Sequence, residues 1–327
     1  MRICVVGGGS WGTTIAALNA PSSETILWAR RGELVDEINT QHTNSTYLGE
    51  YKLPDSLRAT SDIAAAVAGA DVVAMAVPSQ SMSGVMGEVV RKLRRDAVVM
   101  SLSKGLERGS LLRMSEVIGA IAPGNPVAVL SGPNLAHEIL VGQPAASVIG
   151  CEDLEVAKML QELFAKPALR LYTNPDVVGC EIGGVVKNVV AIATGIAQGF
   201  GFGENSRATI VTRGLAEMSR LGTALGAQPQ TFAGLAGLGD VMATCSSALS
   251  RNTTVGMRLG RGESITAITA LMQTVAEGVS SASAVLALAQ RHGVEMPITQ
   301  QVAAVCEGEI GAADAWRVLL SRSSKSE

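Results

Sequence analysis

The sequence predicts an α/β protein in two parts, a doubly wound sheet followed by an all-helical domain. Two patterns carry this prediction. Through the first half, short apolar runs alternate with helical stretches, the arrangement of strands joined by crossover helices. From about Asp176 onward, apolar residues recur at three- and four-residue spacing, with no convincing run of strands. A glycine cluster closing the first apolar run, GGGSWG, is the third observation and ties the first half to nucleotide-binding sheets.

The strand candidates, in order, are ICVVG, TILWA, DVVAMAV, AVVMSL, PVAVLS and SVIG. They are continuous apolar runs rather than alternating ones, as expected of parallel strands covered on both faces. Between them lie helical stretches such as SDIAAAVAGA and SLLRMSEVIGAI. The character changes around LRLYTNPDVVGCEIGG. Beyond it, EIGGVVKNVVAIATGIAQG, NSRATIVTRGLAEMSRLGTAL and SSASAVLALAQRHG all carry helical apolar spacing. The expected division is therefore residues 1–176 for the nucleotide-binding domain and 177–327 for the helical one. The tail SRSSKSE is expected to fray.

Composition excludes several classes. The chain has 327 residues, 47% hydrophobic, enough for one or two well-filled cores. A formal net charge of -3 leaves no nucleic-acid footprint. Five scattered cysteines form no C-x-x-C pair, so a reduced, cytoplasmic protein is expected. Three histidines show no metal spacing, and no structural zinc is expected. No membrane span is expected: the best candidate in the chain, IAAAVAGADVVAMAVP, is interrupted by Gly69 and Asp71, short of the ~18 apolar residues a span needs.

Gly7, Gly9 and Gly12 match G-x-G-x-x-G, directly after strand ICVV and before the helical stretch TTIAALNA. Glycine lets the backbone approach a pyrophosphate, and the helix N-terminus offers unpaired N–H groups and positive potential. A tight strand–helix turn without ligand is the alternative. At the end of the second strand, where an acid would grip the ribose hydroxyl of NAD, stand Arg30 and Arg31. A carboxylate would repel a 2′-phosphate, whereas a guanidinium binds it bidentately. NADP(H) is accordingly expected to be preferred or accepted, with NAD(H) possible. Solvated surface arginines are the bland alternative.

Three further stretches read as chemistry. VVMSLSKG places Lys104 just past a strand's carboxyl end, the ligand edge of open α/β sheets. SGPNLAHE follows the next strand. EIGGVVKNVVAIATGIAQG places Lys187 on a small-residue helix whose remainder is almost uncharged. A lone helical lysine is usually a solvated side chain. Here Gly183 and Gly184 suggest open space beside it, and a charge in so apolar a setting needs a reason. Later, Asp240 ends the glycine-rich GLAGLGD, and Ser250, Arg251 and Asn252 precede the helical TTVGMRLG. Hydroxyl, guanidinium, amide and helix N-terminus together make an anion site. Capping alone would explain Ser250 or Asn252 but not a cation such as Arg251 at that end.

These residues resemble the NAD(P)-dependent sn-glycerol-3-phosphate dehydrogenases of bacterial type. The match runs through GGGSWGT, SLSKG, SGPNLAHE, EIGGVVKNVVAIATGIAQG, TRGLAEMSRLG, TFAGLAGLGDVMATCSSALSRN and VAEGV, most of the chain. The resemblance implies interconversion of dihydroxyacetone phosphate and sn-glycerol 3-phosphate, supplying glycerol 3-phosphate for phospholipid synthesis. It implies Lys187 as proton acceptor, with Asp240 and Lys104 in the catalytic set. Lys104, Gly132, Asn134, Lys187, Asp240, Ser250, Arg251 and Asn252 would line the substrate. Ser10, Trp11, Arg30, Arg31, Lys104, Ala136, Arg251, Val275 and Glu277 would touch the nucleotide. Many bacterial members carry serine where Asn134 stands, which leaves that contact open. A homodimer through the helical domain is expected.

Two rivals are weighed against this. Other two-domain reductases that use a lysine, of 3-hydroxyacid or ketopantoate type, share the architecture but have no need of the Ser250–Arg251–Asn252 anion site. A catalytically silent dinucleotide sensor would keep the glycine loop without Lys187 and Asp240.

Overall fold

The computed structural model describes residues 1–272 and 276–321. The chain forms two compact units, Met1–Cys180 and Glu181–Glu327. In the first, the strands are β1 (Arg2–Val6), β2 (Glu24–Trp28), β3 (Arg58–Thr60), β4 (Val72–Met75), β5 (Val98–Ser101), β6 (Val127–Ser131), β7 (Ala145–Gly150) and β8 (Leu169–Asn174). They lie in one sheet of order β3-β2-β1-β4-β5-β6-β7-β8. The order reverses between β1 and β4, which makes the crevice at their carboxyl ends the topological switch point. The helices between them are α1 (Ser10–Asn19), α2 (Gly32–Gln41), α3 (Ser45–Leu48), α4 (Ile63–Val67), α5 (Met82–Val89), α6 (Met114–Ile121), α7 (Ala136–Leu140) and α8 (Leu154–Phe164).

Strand alternation sends successive residues to opposite faces. Ile3 and Val5 of β1 join one buried cluster with Ile15, Val72, Met100, Leu130 and Leu160. Cys4 and Val6 join another with Val73, Met75, Met86, Val99 and Ile118. Both faces are thus covered, which is why these strands read as unbroken apolar runs.

Three features depart from the sequence expectation. β3 is a three-residue edge strand, RAT, too short and polar to register as apolar. β8 buries Leu169 and Leu171 while exposing Arg170 and Tyr172, the alternation of a half-covered strand. It falls in the stretch where the strands were expected to cease. And β7 runs antiparallel to β6, whereas β8 returns parallel to β7. The link from β6 to β7 carries only the five-residue α7, and antiparallel return is what so short a helical link permits.

The second unit is helical: α9 (Val177–Gly199, which begins at the end of the first unit), α10 (Glu204–Ala224), α11 (Pro229–Ala233), α12 (Asp240–Ser246), α13 (Arg251–Gly260), α14 (Ile265–Ala270), α15 (Glu277–Arg291), α16 (Pro297–Glu307) and α17 (Ala312–Leu320). A single π-helical turn, Leu235–Gly239, leads straight into α12. α9 has 23 residues and a mean hydropathy of 1.5 over its most apolar window, enough in length and composition to cross a bilayer. That window is 89% buried inside the protein, so α9 is a core helix. It, and not the segment around Gly69, is the most span-like stretch among the described residues.

Two helices of this unit meet through glycine. A Cβ on Gly195 or Gly199 of α9 would fall within 2.4 Å of a carbonyl oxygen of α13, and one on Gly256 or Gly260 within 2.3 Å of α9. Each helical glycine costs about 1 kcal/mol of propensity relative to alanine. The backbone contact it permits is what brings the start of α13 close to the middle of α9.

Candidate active site

Strands β1, β2, β4, β5 and β6 all end on one edge of the first unit, and the loops carrying Gly7–Gly12, Arg30–Arg31, Lys104 and Ala136 follow those ends. Gly7 follows β1 with φ +126°, and any Cβ would strike the Ala76 carbonyl at 2.4 Å. Gly12 sits against the Gly7 carbonyl, where a Cβ would lie 2.0 Å away. A Cβ on Gly9 would meet nothing within 4 Å. Packing therefore demands glycine at the first and last positions, while the middle one faces open space. Gly9 is the N-cap of α1; no side chain caps this helix and no acid occupies its first turn. Its N–H groups are thus left for an anion. Ser10 donates from Oγ to the Tyr47 carbonyl at 3.2 Å. Trp11 packs on the core with Nε1 buried and without a hydrogen-bond partner. These observations fit a dinucleotide pyrophosphate.

The two arginines differ. Arg30 is exposed. Arg31 lies with its guanidinium 5.7 Å from the Tyr47 ring centroid, a cation–π arrangement that holds it in place. Burial works to raise the Glu37 carboxyl, but hydrogen bonds from Ser45 and Thr43 and the charge of Arg31 together draw it below its usual value.

On the same edge, Lys104 follows β5 and donates from Nζ to the Gly132 carbonyl at 2.8 Å. The loop carrying it is pinned on both sides: Ser103 bonds the Val77 carbonyl at 2.5 Å, and Gln80 bonds the Leu106 carbonyl at 2.7 Å. Gly132 follows β6 with φ +124°, a backbone that disfavours any other residue. Asn134 accepts from the Ser147 hydroxyl through Oδ1, while its Nδ2 is buried without a partner. Ala136 opens α7, and its carbonyl lies 3.5 Å from the Thr14 hydroxyl.

In the second unit, Lys187 is drawn into an acidic corner. Its Nζ lies 2.9 Å from Thr244 Oγ1 and 3.2 Å from Asp240 Oδ1. The lysine side chain is 12% exposed and the aspartate 2%. Thr244 donates in turn to Asp240 at 3.3 Å. Thr244 was missed in the sequence, yet it stands one helical turn after Asp240 on α12, where i and i+4 share a face. The space expected beside Gly183 is not open. A Cβ there would lie 2.2 Å from the Ala236 carbonyl. Gly183 and Ala236 touch, and one turn further along each strand of chain Lys187 meets Asp240. The glycine brings the amine to its carboxylate.

Ser250 is the N-cap of α13: its Oγ accepts from Thr253 N at 3.3 Å. Capping is therefore one of its roles. Asn252 joins three helices, donating to Asn188 Oδ1 at 2.8 Å and accepting from Gly278 N at 3.0 Å. This leaves one amide hydrogen for another partner. Arg251 is exposed at the first position of α13, with no acid in that turn. Glu277 opens α15. Val275 lies outside the described residues.

With this geometry in view, comparison with known proteins is decisive. Family models for NAD-dependent glycerol-3-phosphate dehydrogenase match both halves, the N-terminal model at residues 2–157 and the C-terminal model at 176–317. The chain belongs to this family. A protein of Sphingopyxis alaskensis named glycerol-3-phosphate dehydrogenase [NAD(P)+] 2 is 52% identical over all of this chain and 98% of its own length. One of Corynebacterium diphtheriae, named glycerol-3-phosphate dehydrogenase [NAD(P)+], is 52% identical over the full length of both. The crystal structure of glycerol-3-phosphate dehydrogenase from Coxiella burnetii superposes with a TM-score of 0.94 at 35% identity, covering 98% of this chain and 99% of that one. A ketopantoate reductase from Ralstonia eutropha shares the fold alone, at a TM-score of 0.63 and 17% identity.

Proposed function

We propose that this protein is an NAD(P)-dependent sn-glycerol-3-phosphate dehydrogenase that interconverts dihydroxyacetone phosphate and sn-glycerol 3-phosphate. The observation that carries the reading is the sequestered Lys187, held by Asp240 and Thr244 on a helix whose one other charged residue is Glu181. The reaction needs a group that takes the proton of the carbon-2 hydroxyl during oxidation and returns it during reduction. Lys187 Nζ is that group. Asp240 and Thr244 hold its amine in one orientation. Arg251 and the start of α13 anchor the substrate phosphate through the guanidinium charge and the positive end of the helix. Anchoring the tail limits where carbon 2 can lie, which converts binding energy into alignment. Lys104, Gly132 and Asn134 contact the triose or the nucleotide from the strand ends. The glycine loop, α1 and the Arg30–Arg31 pair hold the dinucleotide, with NADP(H) preferred or accepted. When bound, the nicotinamide supplies or accepts the hydride.

The proposal extends to setting. Supply of glycerol 3-phosphate for phospholipid synthesis follows from the family. Five buried cysteines, none in a disulfide, suit a reducing cytoplasm. Exposed Met242, Leu249, Leu271 and Leu320 in the second unit are in keeping with a homodimer, testable by light scattering. The deciding experiment mixes pure protein with dihydroxyacetone phosphate and NADPH, with NADH and with ketopantoate in parallel, and follows nicotinamide absorbance. Oxidation of NADPH with dihydroxyacetone phosphate alone supports the reading; oxidation with ketopantoate alone, or none, overturns it.

A further inference from the structure

A segment that the nucleotide motif does not include reaches into the glycine loop. Asn44 is fully buried. Its Nδ2 donates to the Gly8 carbonyl at 3.0 Å and to Thr13 Oγ1 at 2.8 Å, across 36 and 31 residues of chain. The Gly8 carbonyl can only accept, so the amide orientation is fixed by chemistry. One side chain thus bridges the middle of the loop and the first turns of α1. Its Oδ1 is buried without a partner, so the chain tolerates an unmade acceptor in order to keep both donations. Gly8 is fixed from the other side, where a Cβ would lie 2.8 Å from Ala29 Cβ. The same short stretch, Thr43 to Tyr47, receives the Ser10 hydroxyl at the Tyr47 carbonyl, bonds Glu37 through Ser45 N at 2.6 Å and places the Tyr47 ring against Arg31.

We propose that Asn44 is a positioning residue for dinucleotide binding: it locks the glycine loop to α1 so that the loop and helix N–H groups converge on one anion. The inference rests on the nucleotide-binding reading above. Because the pyrophosphate is common to both cofactors, the effect is blind to the 2′-phosphate.

The test is titration calorimetry of NADPH, NADH and ADP-ribose against wild type, Asn44→Ala, Asn44→Asp and Thr13→Val, with melting temperatures recorded without nucleotide. Asn44→Ala is expected to weaken all three ligands by a common factor of about tenfold. Asn44→Asp is expected to weaken them further, since a carboxylate cannot donate to Gly8 and adds negative charge behind the loop. kcat at saturating cofactor and KM for dihydroxyacetone phosphate should stay within about twofold of wild type. Thr13→Val keeps the Gly8 bond and tests the bridge should the Asn44 variants fail to fold; it too should weaken all three ligands in parallel. Unchanged affinities in folded variants, or losses confined to NADPH, overturn the proposal. Absence of binding by the wild type would instead overturn the nucleotide reading.

Discussion

Lys187 shows how much one side chain's company matters. Its ammonium is removed from bulk water and met by a hydroxyl and a carboxylate. Truncating it leaves the first unit's nucleotide residues untouched. Lys187→Ala is therefore expected to lower kcat by about a hundred- to ten-thousand-fold, the span typical of a lost acid–base group, with NADPH affinity retained in a direct titration. Near-normal turnover would remove Lys187 from the mechanism. The arginine pair works at the same scale. Charge-assisted bonds to a phosphate contribute about 1.5–3 kcal/mol, so Arg30→Ala with Arg31→Ala should weaken NADPH by about tenfold or more while sparing NADH. Equal losses for both cofactors would show that neither guanidinium reads the 2′-phosphate. The single variants should separate Arg31, preset against Tyr47, from Arg30.

Between elements, close approach decides geometry. α9 meets the π turn before α12 at Gly183, with backbone against backbone. Adding one methyl there forces α9 and Ala236 apart, and the displacement is passed one turn along to Lys187 and Asp240. Gly183→Ala would gain helix propensity of about 1 kcal/mol in isolation. In the folded unit the 2.2 Å approach reverses that sign. Overpacking of this kind destabilises by about 1–3 kcal/mol, to be read by thermal or denaturant unfolding. Turnover should fall by more than the folded fraction does. A stable Gly183→Ala protein with full kcat would show that the contact does not set the Lys187–Asp240 distance.

At the scale of the whole molecule, two carboxylates shape stability against pH in opposite senses. Burial pushes Glu217 above its ordinary value of 4.5, although the Ile298 and Thr299 amides and the Thr299 hydroxyl oppose it. The folded state then holds that proton more tightly than the unfolded chain. Its contribution is complete below 4.5 and is lost as pH rises through the raised value. Hydrogen bonds from Ser110 and Ser83 lower Glu107 below 4.5, so its contribution is present above 4.5 and lost as pH falls through the lower value. Glu217→Gln cannot titrate, and its melting temperature should lose the decline that wild type shows as pH rises from 4.5. It should also be less stable at neutral pH by about 1–3 kcal/mol, because the amide cannot accept from all three donors at the head of α16. An unchanged pH profile would show that Glu217 does not titrate differently in the folded state.

The fold class was legible because burial on both faces writes parallel strands as apolar runs and helices as periodic stripes. The edge strands were not, since β3 and β8 are covered on fewer sides and carry polar residues accordingly. The glycine spacing, Arg30–Arg31 and the charge of Lys187 stood out as candidates because each conflicts with its local surroundings unless a ligand or partner resolves it. By itself, then, the sequence determined the two-part architecture, the nucleotide motif and the candidate proton-transfer residue. The tertiary structure alone decided the company those residues keep. Thr244 beside Lys187, Asn44 behind Gly8, the Asn188–Asn252–Gly278 staple and the meeting of Gly183 with Ala236 rest on contacts between positions from 26 to 64 residues apart. Such contacts leave no periodicity in the chain, because they depend on how folded elements pack and not on what any one element is.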